Sequence, residues 1–330
     1  MKTLEFSISN NTVTHLGRNL YSTTPPALAE LIANSYDAYA TNVNILLSRT
    51  SISIIDNGKG LDFDEFRNKY AIIGSAKQKE YPFNGLQARN PMGKKGIGKL
   101  AAFSLGNTYT VYSKTVTADK WISFTLNYTD MINGEKCSVD VEEVDLPEEF
   151  SKYTTYESGF IVKITNVRRN ITANTEKYIL VQLSRRFYIN QVKDNFNLTI
   201  NDKKVNLDSN LYYNKIEYLI YFGYSSEEDL KKQFPNSKII EPYTKDDNIK
   251  NYFEDKKIKG WIGTTIKPKD LKTEYGASFA NIILLANGKI ADEDILKTKS
   301  NARIANNYIV GEIFADELIS NLEDPITSSR

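Results

Sequence analysis

Between residues 25 and 40 the chain reads PPALAELIANSYDAYA, where Leu28, Leu31, Ile32, Tyr36 and Tyr39 recur at a helical period and gather on one side. Thr23 and Thr24 precede the run and two prolines open it, so the pattern predicts a helix over residues 25–40. Glu30, Asn34 and Asp37 fall at i, i+4 and i+7 and share the opposite side. Two β-branched-rich runs, residues 43–47 and 51–55, predict adjacent antiparallel strands, the second leading into Asp56-Asn57-Gly58-Lys59-Gly60. A short helix is expected over 62–70. Residues 73–96 have weak periodicity, four glycines and two prolines, and read as a mobile loop or lid. A small-residue helical run then extends from Gly96 to its stop at Gly106. Strand patterns return at 109–112, 121–128, 138–144 and 160–164, helical spacing at 176–188, and a hairpin at 196–205. Beyond residue 208 the texture becomes Tyr- and Lys-rich, with strand-like runs in KGWIGTTI, NIILLANGKI and YIVGEIFA. These patterns predict an α/β domain over 1–207 and a smaller α+β domain over 208–330.

With 42 Lys+Arg against 41 Asp+Glu the net charge is +1, so no overall field draws the chain onto nucleic acid or an anionic membrane. Any such partner needs a local patch. A length of 330 residues, 41% hydrophobic content and 12% aromatics describe a folding globular chain and exclude a disordered one. Cys137 is the single cysteine, which excludes an intrachain disulfide. His15 is the single histidine, which removes multi-histidine metal sites and Ser-His-Asp chemistry almost entirely. A metal would be held by oxygen. The first residues, MKTLEFSISN, lack a hydrophobic signal core and no apolar run reaches membrane-span length, so a cytoplasmic setting without membrane contact is expected.

Gly93-Lys94-Lys95-Gly96-Ile97-Gly98-Lys99 satisfies the spacing of a Walker A loop, but Leu100 stands where the Mg²⁺-binding hydroxyl belongs and Asn90-Pro91-Met92 supplies no preceding strand. The loose dinucleotide fingerprint at Gly96, Gly98 and Ala101 lacks its strand for the same reason. Three segments taken together fit better: a helix carrying Glu30, Asn34, Asp37 and Ala38, a strand ending in Asp56-x-Gly58-x-Gly60, and glycines at 93, 96 and 98 opening a helix. Singly, each also fits an ordinary solvated helix face, turn or basic loop.

Their order and spacing resemble the GHKL ATPase family of gyrase B subunits, heat-shock chaperones, histidine kinases and MutL, with the MORC proteins. NSYDA, IIDNGKGL and MGKKGIGKLAAF are most similar to the MORC and MutL side. The resemblance implies a two-layer Bergerat-type ATP-binding domain with a mixed sheet, followed by a transducer-like domain, and slow Mg²⁺-dependent ATP hydrolysis that drives lid closure and homodimerisation. DNA or an effector protein is a possible further partner. In-line attack on a γ-phosphate needs a base to orient water, and Glu30 suits that role. Asn34 can give Mg²⁺ one amide oxygen, leaving phosphates and water to complete the shell. Asp56, an acceptor-only carboxylate, suits the exocyclic amino group of adenine, with Gly58 and Gly60 admitting the base. The backbone amides from Gly93 through Gly96, Ile97 and Gly98 form an anion site, with Lys95 and Lys99 nearby. Asp37 and Ala38 complete the ATP-binding set, and Lys77 reads either as a phosphate contact or as an exposed lid lysine. Phe160 stands where the family has a threonine beside the adenine. By the same resemblance Arg330 reaches the γ-phosphate as a catalytic cation, an exposed terminal arginine being the alternative, with Lys297 and Lys299 next in line.

Overall fold

The computed structural model describes residues 2–7, 21–72, 81–93, 98–133, 136–193, 195–206, 212–224, 226–286, 289–296 and 303–317. It divides into two compact units, Met1–Leu183 with Tyr188–Val205, and Ser184–Phe187 with Asn206–Arg330.

In the first unit the strands are β1 (Lys2–Ser7), β2 (Asn42–Leu47), β3 (Ser51–Asp56), β4 (Gly106–Lys114), β5 (Trp121–Asn127), β6 (Lys136–Val144), β7 (Gly159–Val167), β8 (Asn197–Ile200) and β9 (Lys203–Lys204). Among the described residues they form one sheet in the order β1-β6-β5-β4-β7-β3-β2-β8-β9. The sheet is mixed, because β2 pairs with β8 in parallel while its other neighbours pair antiparallel. Period-two alternation along β3 turns Asp56 toward the helix that carries Ser35, whose hydroxyl reaches it. Ile55 turns to the other face, where Trp121 and Ile161 meet Phe150 and Tyr153 of a short helical segment, Glu148–Tyr153.

Helix α1 (Thr24–Asp37) has Pro25 and Pro26 in its first turn, and Thr23 takes the extended backbone of an N-cap. It ends three residues before the expected 40, in a Schellman turn: the Tyr39 amide bonds Tyr36 and the Ala40 amide bonds Ser35. Neither glycine nor proline marks that stop; Tyr39 occupies the left-handed position at φ 61. The helix is buried almost all round, so its polar stripe is an inner wall rather than a solvated face. The expected short helix at 62–70 begins at Phe63 under an Asp62–Glu65 capping box and continues as a π-helical turn, Phe66–Tyr70. After a 3₁₀ turn at Gly98–Leu100, α2 (Ala101–Leu105) packs on α1. Helix α3 (Ala173–Lys193) is longer than its predicted span.

The second unit holds β10 (Ile216–Phe222), β11 (Ile239–Pro242), β12 (Lys259–Thr265), β13 (Ile282–Ala286), β14 (Lys289–Asp292) and β15 (Ile309–Phe314), ordered β11-β10-β12-β15-β13-β14. Tyr212, Tyr213, Phe234, Trp261 and Phe279 fill its core. Within that core lies Glu312, bonded by the hydroxyls of Tyr212 (2.9 Å) and Tyr213 (3.2 Å). Arg185 Nε stands 3.9 Å from its carboxylate.

Candidate active site

Glu30 and Asn34 are half-buried on successive turns of α1, and the backbone returns to them at Gly98. A Cβ at Gly98 would stand 3.4 Å from Glu30 Oε2 and 3.6 Å from Asn34 Nδ2, ordinary contact distances that put this stretch of backbone directly beside both side chains. Three expected site residues are thereby brought together. The Asn34 amide oxygen is a hard donor that fits Mg²⁺ carried largely by phosphates and water, with the Glu30 carboxylate one turn away. Tyr21, which the motif reading missed, belongs here too: burial and the charge of Glu30 hold its phenol far above its usual range, fully protonated.

A second group forms at the end of β3. Asp56 Oδ2 accepts the Ser35 hydroxyl at 2.6 Å, and Oδ1 accepts the Gly58 amide at 2.9 Å. The Phe160 amide also bonds the carboxylate. These donors pull its pKa down, yet burial outweighs them and pushes it up to about 6. Gly58 is required by space, since a Cβ would lie 2.8 Å from the Ala38 carbonyl and 2.9 Å from Asp56 Oδ1. Gly60 is required by both space and backbone, with φ +66 and the Lys114 carbonyl 2.1 Å from a would-be Cβ. Asn57 accepts the Thr41 and Asn42 amides, the Ser158 hydroxyl donates to the Gly58 carbonyl, and Ala38 accepts the Lys59 amide. The turn is thus pinned from four directions. Phe160 packs its ring 6.0 Å from those of Phe66 and Tyr70, putting an aromatic wall where a hydroxyl was expected from the family pattern.

Other expected residues have different surroundings. Asp37 is buried and accepts the backbone amides of Met92 (2.7 Å) and Gly93 (3.0 Å), so it anchors the start of the glycine segment. Lys99 directs its ammonium to the carbonyls of Tyr70 and Ile72 at the end of the π-helical turn, and lies 5.0 Å from the Tyr70 ring. Lys77, Lys95, Gly96, Ile97 and Arg330 lie outside the described residues, as do His15, Lys297 and Lys299. Arg89, Ser35 and Ser158 were not anticipated. For Ser35 a signal existed: it follows Asn34 on a helix whose neighbouring positions all face inward.

Among the described residues there is no cluster of three or more His, Cys, Asp or Glu suited to a metal, and no helix is long and apolar enough to cross a membrane. Residues 21–159 match the family described as histidine kinase-, DNA gyrase B-, and HSP90-like ATPase. The chain is also 33% identical, over 333 aligned positions, to a Herpetosiphon aurantiacus protein provisionally named type II restriction enzyme HgiDII. That alignment takes in 99% of this chain and 51% of the relative, so the chain spans about half the relative's length.

Proposed function

Residues 21–159 are a domain of the histidine kinase-, DNA gyrase B-, and HSP90-like ATPase family, and from that premise we propose that the chain is a slow Mg²⁺-dependent ATPase whose turnover is coupled to lid closure and self-association. The observation that carries this reading is the convergence of Glu30, Asn34 and Gly98 on one wall, with Asp56 ready for a base at the end of β3. Asp56 receives an adenine amino proton as a hydrogen bond, and the glycines at 58 and 60 keep Cβ atoms out of the way. Guanine offers a carbonyl there, so ATP is preferred to GTP. Glu30 orients a water on the γ-phosphate. The new P–O bond forms to that water as the bond to the β-phosphate oxygen breaks; the water proton passes to Glu30, and ADP and phosphate leave. Asn34 would hold Mg²⁺ through its amide oxygen, and the ion would supply charge neutralisation at the phosphates. Residues 208–330 serve as the transducer-like partner of this domain. DNA is the further partner class we propose, on the strength of the name of the relative.

Calorimetric titration with a non-hydrolysable ATP analogue and Mg²⁺, with phosphate release measured with and without DNA, tests the proposal. Binding with release establishes an ATPase. Binding without release favours a nucleotide-gated clamp, and no binding removes the reading.

A further inference from the structure

Arg89 is 8% exposed, and its guanidinium is committed to the C-terminal end of α1. Nη1 donates to the Tyr36 carbonyl at 3.0 Å and to the Ala40 carbonyl at 2.8 Å, two groups that bracket the Schellman turn. The cation stands 4.5 Å from the Tyr36 ring centre and 5.8 Å from that of Phe196. With the Tyr39 ring centre at 5.7 Å, it meets the negative end of the helix dipole and three aromatic rings together. The Arg89 amide is 3.4 Å from the Tyr39 hydroxyl, and Tyr39 holds a left-handed backbone that glycine would adopt without strain. A bulky residue at that position makes sense if its ring helps to build the Arg89 seat.

Three residues onward, Met92 and Gly93 give their amides to Asp37, and at Gly98 the chain is back against Glu30 and Asn34. The two ends of the segment 93–98 thus rest on the 30, 34 and 37 positions of one helix. We infer that Arg89 is a positioning residue for the phosphate end of the site, holding residues 89–93 on the end of α1 so that the Met92 and Gly93 amides stay on Asp37. This inference takes its ligand from the ATP reading above; its geometry stands without one.

The test compares the full chain with Arg89→Ala and Arg89→Lys. In unliganded protein, hydrogen exchange resolved to the Met92 and Gly93 amides should quicken by roughly tenfold or more in Arg89→Ala, with α1 itself still protected. Lysine should rescue only part of this, because a compact, strongly hydrated ammonium replaces the guanidinium that meets both carbonyls and the Tyr36 ring. In titrations, Arg89→Ala should weaken the ATP analogue by roughly tenfold, the scale of one charge-assisted hydrogen bond. Adenosine, which engages only the Asp56 end, should bind unchanged. Unaltered exchange at Met92 and Gly93 would overturn the inference. So would a parallel loss of adenosine and ATP-analogue binding, which marks general damage to α1. A wild type that binds no ATP analogue would remove the ATPase reading alone, since the exchange arm still decides the role of Arg89. If Arg89→Ala does not fold, Arg89→Lys carries the same readouts at smaller amplitude.

Discussion

Asp56 in the first unit and Glu312 in the second are both buried carboxylates, and the protein surrounds them differently. Asp56 has three neutral donors: the Ser35 hydroxyl and the Gly58 and Phe160 amides. An ionised carboxylate can accept about four hydrogen bonds, so room for one more donor remains. Burial accordingly wins, and the pKa rises to about 6. Glu312 instead has two phenols and the Arg185 guanidinium, itself bonded to Asn281 and the Gly311 carbonyl, in an aromatic core. The difference teaches that a buried polar group balanced from within supports the fold, whereas one left under-neutralised beside a glycine-cleared turn is suited to a ligand.

Substitutions should therefore separate chemistry from stability. The largest effect is expected at Glu30. Glu30→Gln should lower phosphate release by about 100-fold or more, the usual contribution of a general base, while calorimetry shows analogue affinity nearly unchanged. Lost affinity with preserved turnover would deny Glu30 that role. Glu312→Ala should do the reverse. Leaving Arg185 buried beside a vacated carboxylate site should cost about 3–5 kcal/mol in a urea titration, with nucleotide affinity of the folded protein intact. A stability loss below about 1 kcal/mol would break the contrast, because Glu312 would then resemble an ordinary surface group.

Next comes Asp56. Asp56→Ala should weaken the ATP analogue by roughly 10- to 100-fold, the range for a hydrogen bond to a charged group. The elevated pKa adds a pH signature. Folded Asp56 takes up its proton near pH 6, above the usual carboxylate range, so its ionisation destabilises the unliganded unit. That penalty, on the order of 3 kcal/mol, is absent at low pH and fully present above about 6. Binding runs the other way, since adenine needs the ionised acceptor. Adenosine affinity should fall as the pH drops through that pKa, by no more than the loss expected for Asp56→Ala, and adenosine carries no phosphate to confuse the titration. A flat profile would show that Asp56 does not face the base.

The parts of this site legible in the sequence are those set by local geometry. Glu30, Asn34 and Asp37 follow from the helical repeat, and Asp56, Gly58 and Gly60 from a turn with space for nothing larger. What escaped is set by long-range pairing. Arg89 meets Tyr36 and Ala40 across about fifty positions, and Ser158 meets Gly58 across a hundred. A lone polar residue in a loop carries no periodicity to announce such a partner. Among the strands, β10 was missed although it is paired on both sides, because IEYLIYF is apolar nearly throughout and gives no period-two signal. On α1 the helical repeat grouped Glu30, Asn34 and Asp37, but burial of the stripe, with Met92 and Gly93 on Asp37 and Gly98 beside Glu30 and Asn34, came only with the fold.

Lys99 is expected to give the smallest effect and tests the contrast inside the first unit. The motif places it at the phosphates, but its ammonium is bonded to the Tyr70 and Ile72 carbonyls, with the Lys69 carbonyl at 3.4 Å. It therefore resembles Arg185, a cation engaged by the protein itself, more than a group waiting for an anion. These bonds satisfy carbonyls at the end of the π-helical turn, which the next turn of helix would otherwise have used. Lys99→Met keeps the aliphatic stem over the Tyr70 ring and removes only the charge. It should destabilise the fold by about 1–2 kcal/mol through the lost caps. Analogue affinity should change by less than about threefold, since one remote screened charge is worth well under 1 kcal/mol. A tenfold or greater loss of affinity for the triphosphate, with adenosine binding unaffected, would mean that Lys99 leaves the carbonyls when phosphate arrives. The division between balanced and available groups would then describe only the unliganded protein.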